Sequence, residues 1–440
     1  MGCAEGSAER RYADPADPRL QSGAIGGRKM DKSKLFVASC VSLATTAMVF
    51  AVRGDTADAM GGAFHLTHEQ LGLIFSPGFW CFTVAIFISG AIVDAVGMRT
   101  LHILSALGYV IGVGLVIFAP RPAGPVVSIF DTPGTTLLYA GFMVMGLSQG
   151  LVEGVINPLI VTLYGSRKTQ RLNMMHAWWP GGMMIGGLVA FAMTRTLHAG
   201  WELKMATILV PALIYLLLAL SLEYPQTERV QSGVSTPEMW REAVRPLFVL
   251  LFCCMWMTSS IELGPDQWFP SIMSALVPQL QGILYLVYTA GLMFLLRTFG
   301  SGVAQKSPIG TLLVCSGLAA VGLYWLGGLK AGLDTPLIAL MAATVFGVGK
   351  SFLWPTMLGM TAERLPRGGA LTISLMGGAG MASVAVAVPI MGARIDRYGQ
   401  GSALQMMAVL GAILVVVFLG FLIYFKSRVL LQSQLIGTPR

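Results

Sequence analysis

The sequence predicts an all-α membrane protein with twelve transmembrane helices in two pseudo-symmetric six-helix bundles. Three observations carry that prediction. Of the 440 residues, 55% are hydrophobic and only 11% are charged, with a mean hydropathy of +0.71, a composition unlike that of soluble domains. Apolar runs long enough to cross a bilayer recur twelve times between Lys34 and Lys426. One polar stretch, 224–242, interrupts the series after the sixth run, as expected of two homologous bundles joined by a connector. A tail at 1–30, bundles at 31–223 and 243–427, and a second tail at 428–440 complete the expected organisation.

Charge placement supports this layout. A net charge of +8 would suggest a polyanionic partner in a soluble protein. Here, with a cytoplasmic N-terminus, most of the 29 Lys and Arg residues fall in cytoplasmic loops and tails. Only Arg53, Arg121, Arg195, Lys204, Lys330, Arg394 and Arg397 fall on the other side, and Lys350 lies inside a span. The bias obeys the positive-inside rule with both termini cytoplasmic. It predicts a multi-pass protein of the cell membrane, in contact with the lipid bilayer, and gives no reason to expect nucleic acid. The six cysteines lack Cys-x-x-Cys spacing and read as apolar fillers. Residues 1–30 have no signal-peptide core; they read as a disordered tail, or as an over-extended start with Met30 as initiator.

Span one (34–53) runs to Arg53, with Asp55 just beyond; both are candidates for an outer gate. His65, His68 and Glu69 follow in a loop without the further ligands a metal site needs, so no metal is expected. Span two (69–93) leads into Gly90-Ala-Ile-Val-Asp94-Ala-Val-Gly97-Met-Arg99. Its glycines allow a tight turn, and Asp94 and Arg99 are expected to pair across a cytoplasmic gate. Span three covers 100–119. Span four (135–163) holds Glu153 inside an apolar run, where a carboxylate costs roughly 2.5–3.5 kcal/mol on insertion scales. Gln149 and Asn157 share its helix face at a spacing of four. Gly146, Gly150 and Gly154 form a stripe for close helix packing, and Asn157 precedes Pro158, whose freed carbonyls it is expected to satisfy. Span five (172–195) opens with His176, Trp178 and Trp179, and span six covers 202–223. At the outer end of span seven (243–263), Glu262 and Asp266 are expected to face Arg53 and Asp55. Spans eight (280–298) and nine (308–328) lead to span ten (335–360), where Lys350 and Trp354 should share a face. Arg394 and Asp396 read as a helix-end pair after span eleven (369–393), and span twelve covers 403–425.

The halves repeat. The gapless shift that lays Gly150 on Gly347 also lays Glu153 on Lys350, Pro158 on Pro355, Gly181 on Gly378 and Met184 on Met381. Equivalent positions then face each other across a central cavity, so Glu153 and Lys350 are expected to form a mid-membrane ion pair. The Gly90–Arg99 loop resembles the signature loop of the major facilitator superfamily. Four segments further resemble the fucose–galactose–glucose:proton symporter group. They are Phe64-x-Leu66-Thr67 with Gln70-Leu-Gly-Leu-Ile74; Gly150-x-x-Glu153-x-x-x-Asn157-Pro158; Arg171-Leu172-Asn173; and Pro355-Thr356 with Gly377-Gly378 and Pro389-x-x-Gly392-x-x-x-Asp396. The resemblance implies the major facilitator fold and proton-coupled uptake of a monosaccharide or similar polyol by alternating access. It puts Glu153 at the group's substrate and proton position. The chain departs from the group at Arg53-Gly54-Asp55, where an Asn-Asp pair is usual, at Lys350, and at His176, where the group has Gln.

Three couplings remain open. Protonation of Glu153 could release Lys350; Lys350 could replace the proton, making a uniporter; or an anionic substrate such as a uronate could set its carboxylate on Lys350 or Arg53. Glu153, Lys350, Gln149, Asn157 and His176 are the expected binding groups, with Trp178, Trp179 and Trp354 able to stack on a pyranose. An exporter of drugs or amphiphilic metabolites would draw on the 26 methionines, and a non-transporting receptor or scaffold would tolerate neutralised cavity charges. No catalytic grouping and no Gly-x-x-x-x-Gly-Lys-Ser/Thr loop occurs. The chain is therefore expected to be a monomer with no enzyme activity and no cofactor, driven by a proton gradient.

Overall fold

The computed structural model describes residues 30–164, 168–226, 236–300, 306–330, 335–365 and 369–436, and among them no strand occurs. The first half comprises α1 (Lys32–Phe64), α2 (His68–Phe75), α3 (Pro77–Val96), α4 (Met98–Ile117), α5 (Pro133–Leu163), α6 (Lys168–His176), α7 (Trp178–Thr196), α8 (Trp201–Ala206) and α9 (Leu209–Ser221). A short α10 (Thr236–Ala243) precedes α11 (Pro246–Leu276), α12 (Ile283–Phe299), α13 (Pro308–Gly327), α14 (Thr335–Lys350), α15 (Leu353–Arg364), α16 (Gly369–Tyr398) and α17 (Gln400–Ile436). Ten helical stretches among the described residues are long and apolar enough to cross a membrane. The shorter apolar α12 and the α6–α7 pair stand where the sequence places spans eight and five.

Local chemistry sets the ends of these helices. The Asp31 side chain accepts from the Ser33 and Lys34 amides at 3.0 and 3.1 Å and starts α1. A capping box between Thr67 and Gln70 starts α2. Between α3 and α4 the backbone turns at Gly97 with φ +87°, a conformation open to glycine at little cost. Among the helices that overrun their expected spans, two do so for a shared reason. α1 continues past Arg53 to Phe64, and α11 past 263 to Leu276, because the charges that end each apolar run are buried or paired against neighbouring helices.

Small residues bring the helices together. On α5, a Cβ at Gly146, Gly150 or Gly154 would strike Gly78, Phe82 or Ser89 of α3, as the glycine stripe predicts. In the second half, Gly349 of α14 meets Ala319 of α13, and Gly411 of α17 meets Ala320. Between the halves, α1 meets α11, α2 and α3 meet α16, and α7 meets α12.

Arg99, the expected gate cation, is engaged with backbone carbonyls in this structure. Its Nε and Nη2 donate to the carbonyls of Ala219 and Leu220 at 3.1 and 2.8 Å, capping the end of α9, whose last carbonyls have no helical donors. The Asp94 side chain lies outside the described residues, and so does its expected pairing with Arg99.

Candidate functional site

Glu153 sits half-buried on α5. Asn157, one turn further, donates from Nδ2 to Glu153 Oε2 at 2.7 Å and to the Glu153 carbonyl at 3.0 Å. Asn157 Oδ1 lies 2.9 Å from Nε2 of His176, at the end of α6. Because an amide oxygen only accepts, His176 donates here, which fixes the proton on Nε2. These three predicted residues are therefore one bonded chain. Gln149, one turn before Glu153, is fully buried, and neither amide atom has a partner among the described residues.

The expected Glu153–Lys350 pair does not form. Lys350 is fully buried and its Nζ donates to Asp266 Oδ1 of α11 at 2.5 Å. The repeat matched the two positions in depth. It could not show that an acid within the same half lies nearer than one across the seam, and in a low-dielectric interior the nearest counter-charge dominates.

Lys350 and Trp354 do not share a face, because the helix breaks at Ser351–Phe352, between α14 and α15. Glu262 and Arg297 support this break. Glu262 Oε2 accepts from the Trp354 amide at 3.0 Å, Oε1 accepts from Arg297 Nη2 at 2.8 Å, and Arg297 Nε donates to the Ser351 carbonyl at 2.8 Å. Trp354 instead lies against Gly380 of α16.

These contacts also revise the expected outer gate, for Glu262 and Asp266 are committed within their own half. Asp55 pairs with Lys204 at 2.8 Å. Arg53 is fully buried and donates from Nε to Gln267 Oε1 at 2.8 Å across the seam. Its guanidinium carbon lies 4.5–5.9 Å from the ring centroids of Phe79, Phe50, Phe75 and Phe142.

Sequence reasoning missed a latch at the end of the molecule that holds Phe64. Asp396 does not pair with Arg394, which stacks on Tyr398 at 4.1 Å. Its Oδ1 lies 2.7 Å from His68 Nδ1, and its Oδ2 accepts from the Glu69 amide at 2.9 Å, so α16 caps the start of α2. Ser271 donates to Asp58 at 2.7 Å, and Trp268 Nε1 donates to the Val388 carbonyl at 3.0 Å. The available signal was Gly72 and Gly392: a Cβ on the first would lie 2.7 Å from Pro389, and one on the second would strike the His68 carbonyl. Among the other tryptophans, Trp178 is 40% exposed, while Trp179 is buried and packs edge-on against Phe50 at 4.9 Å.

Residues 35–370 match the profile of the Major Facilitator Superfamily. No curated protein matches the chain. Among solved structures, the partially occluded inward-open conformation of the xylose transporter XylE from E. coli superposes with a TM-score of 0.72 at 13% identity, covering 89% of this chain and 97% of that one. The nucleoside transporter NupG gives a TM-score of 0.66 at 10% identity, covering 88% and 98%. A bacterial homologue of the human drug peptide transporters PepT1 and PepT2 gives 0.64 at 14%, covering 90% and 100%. At these identities the likeness is one of fold.

Proposed function

We propose a transport role for a chain that belongs to the major facilitator superfamily: alternating-access movement of a monosaccharide or similar polyol, taken up together with protons. The observation that carries this reading is the half-exposed chain Glu153–Asn157–His176. It offers hydroxyl groups acceptors at Glu153 Oε1 and on the His176 ring, together with a carboxylate that becomes a donor when it takes a proton. Intramembrane ionisable groups of this kind are functional by default. Asn157 holds Glu153 through Oε2, leaving Oε1 for a substrate hydroxyl. Protonating Glu153 exchanges an acceptor for a donor there, and that change links occupancy to the proton. Trp178 and Trp354 are the flat apolar faces on which a pyranose would stack.

With both termini cytoplasmic, in keeping with the basic bias, the latched end is extracellular. Bodies 31–223 and 243–427 then rock about the seam, tethered by 224–242. The working unit is a monomer that needs no cofactor. The test is uptake of a labelled panel of neutral sugars and sugar acids by proteoliposomes, with and without an inward proton gradient. Wild-type protein should accumulate one of these solutes only with the gradient, and Glu153→Gln should retain exchange while losing accumulation. Gradient-independent uptake, or full accumulation by the variant, would remove proton coupling through Glu153.

A further inference from the structure

We infer that the transported polyol is an acid and that Arg53 receives its carboxylate. The inference rests on the transport reading above and adds a charge to the substrate. The other well-buried cations described above each meet an acid: Lys350 meets Asp266 at 2.5 Å, Arg297 meets Glu262 at 2.8 Å, and Lys204 meets Asp55 at 2.8 Å. Arg53 is fully buried, yet Nη1 and Nη2 have no hydrogen-bond partner among the described residues. Only Nε is engaged, by the neutral amide of Gln267.

The surroundings fit an anion better than a structural role. Four phenylalanine rings hold the guanidinium through their π faces, but no ring offers an oxygen to the Nη groups. The rings exclude water and fix the orientation of the fork. A carboxylate entering such a site can be bound by two parallel hydrogen bonds, in a medium where they are stronger than in water.

The location supplies the access. Gly54 lets α1 approach α11 so closely that a Cβ there would lie 3.2 and 3.3 Å from the carbonyls of Asp266 and Gln267. When the latched end parts, α1 leaves α11 and Gln267 leaves Nε. The Nε edge of the guanidinium is then open toward the cleft, while Nη1 stays against Gly78 of α3. In the closed state, Gln267 Oε1 is an uncharged stand-in for the substrate oxygen, and its own Nε2 lacks a partner among the described residues. The polar face of α5 continues from there. Gln149 lies two turns, about 10 Å, beyond Phe142 along the helix, and Glu153 lies one turn further. A six-carbon acid docked on Arg53 can thus present its hydroxyls to the unpartnered Gln149 amide on the way to Glu153.

The experiment uses full-length protein in proteoliposomes, with labelled glucose as the neutral sugar, gluconate and glucuronate as sugar acids, and lactate as a short acid. Wild-type protein should carry a sugar acid in preference to glucose and lactate. Arg53→Gln should lower that uptake about a hundredfold, the usual scale for truncating one member of a buried charged pair, and Arg53→Lys should restore part of it. Gln267→Glu, which places a permanent carboxylate on the guanidinium, should also suppress acid uptake in a folded, monodisperse protein. It provides the decision if Arg53→Gln fails to fold. Wild-type uptake of neutral sugar alone overturns the inference and leaves the transport reading standing. Undiminished acid uptake by Arg53→Gln or by Gln267→Glu overturns it as well. Folded wild-type protein that carries no member of the panel removes both.

Discussion

At the scale of single residues, the Asp266–Lys350 pair shows how a buried charge is kept. Both side chains are fully buried, and Asp266 Oδ2 has no partner among the described residues. Removing one member leaves the other charged and dry, so Lys350→Met alone should destabilise the protein by about 3–5 kcal/mol. Converting the pair to Lys350→Met with Asp266→Leu should recover most of that loss, because well-packed apolar residues often replace a buried ion pair without penalty. Thermal unfolding in detergent reads both variants. A double variant no more stable than the single would mean that the pair holds more than each other. The same pair marks where the sequence stops being legible. Glu153, Gln149 and Asn157 could be grouped beforehand because helical spacing fixes their common face. Asp266 and Lys350 are 84 residues apart, and only the rotation of α11 against α14 decides that they meet.

At the scale of elements, the apolar runs were legible and their ends were not. Hydropathy located the spans, since length and composition suffice for that. It stopped α1 at Arg53 because Arg53, Asp55 and Asp58 look like a loop; their partners, Gln267, Lys204 and Ser271, lie on distant helices. The break between α14 and α15 was equally hidden, being held by Glu262 and Arg297 from α11 and α12. The close approach of α2 to α16 depends on the bare face of Gly72, where a Cβ would lie 2.7 Å from the Pro389 backbone. Backbone has no room to give, so Gly72→Val should hold the latched end apart. With Thr83→Cys as reporter, at a position whose hydroxyl now donates to the Gly378 carbonyl at 2.9 Å, labelling by an impermeant thiol reagent should rise severalfold over the Gly72 parent. Equal labelling of the two would show that this contact does not govern opening.

At the scale of the whole molecule, the latch must be firm enough to close and weak enough to reopen. Its polar contacts suit that balance. The His68–Asp396 pair keeps 33% and 28% side-chain exposure, and exposed pairs of this kind contribute only about 0–1 kcal/mol each. A handful of them, with the Trp268–Val388 bond, leaves the two conformations within the few kcal/mol that lets both be populated. A covalent link across the same seam removes that balance. Asp58 and Ser271 are already joined by a 2.7 Å hydrogen bond between α1 and α11, close enough for cysteines at both positions to approach disulfide geometry. In a chain with the exposed Cys253 replaced by Ser, oxidising Asp58→Cys with Ser271→Cys should abolish uptake in proportion to the cross-linked fraction, and a reductant should restore it. The closed end would then be unable to part, so Arg53 could not reach solute from that side, whereas Glu153 would keep its partial exposure. Each single-cysteine variant, oxidised in the same way, should transport as before. Uptake that persists in fully cross-linked protein would mean that solute crosses without the halves separating at this seam, and rocking of the two bodies would have to be abandoned as the transport step.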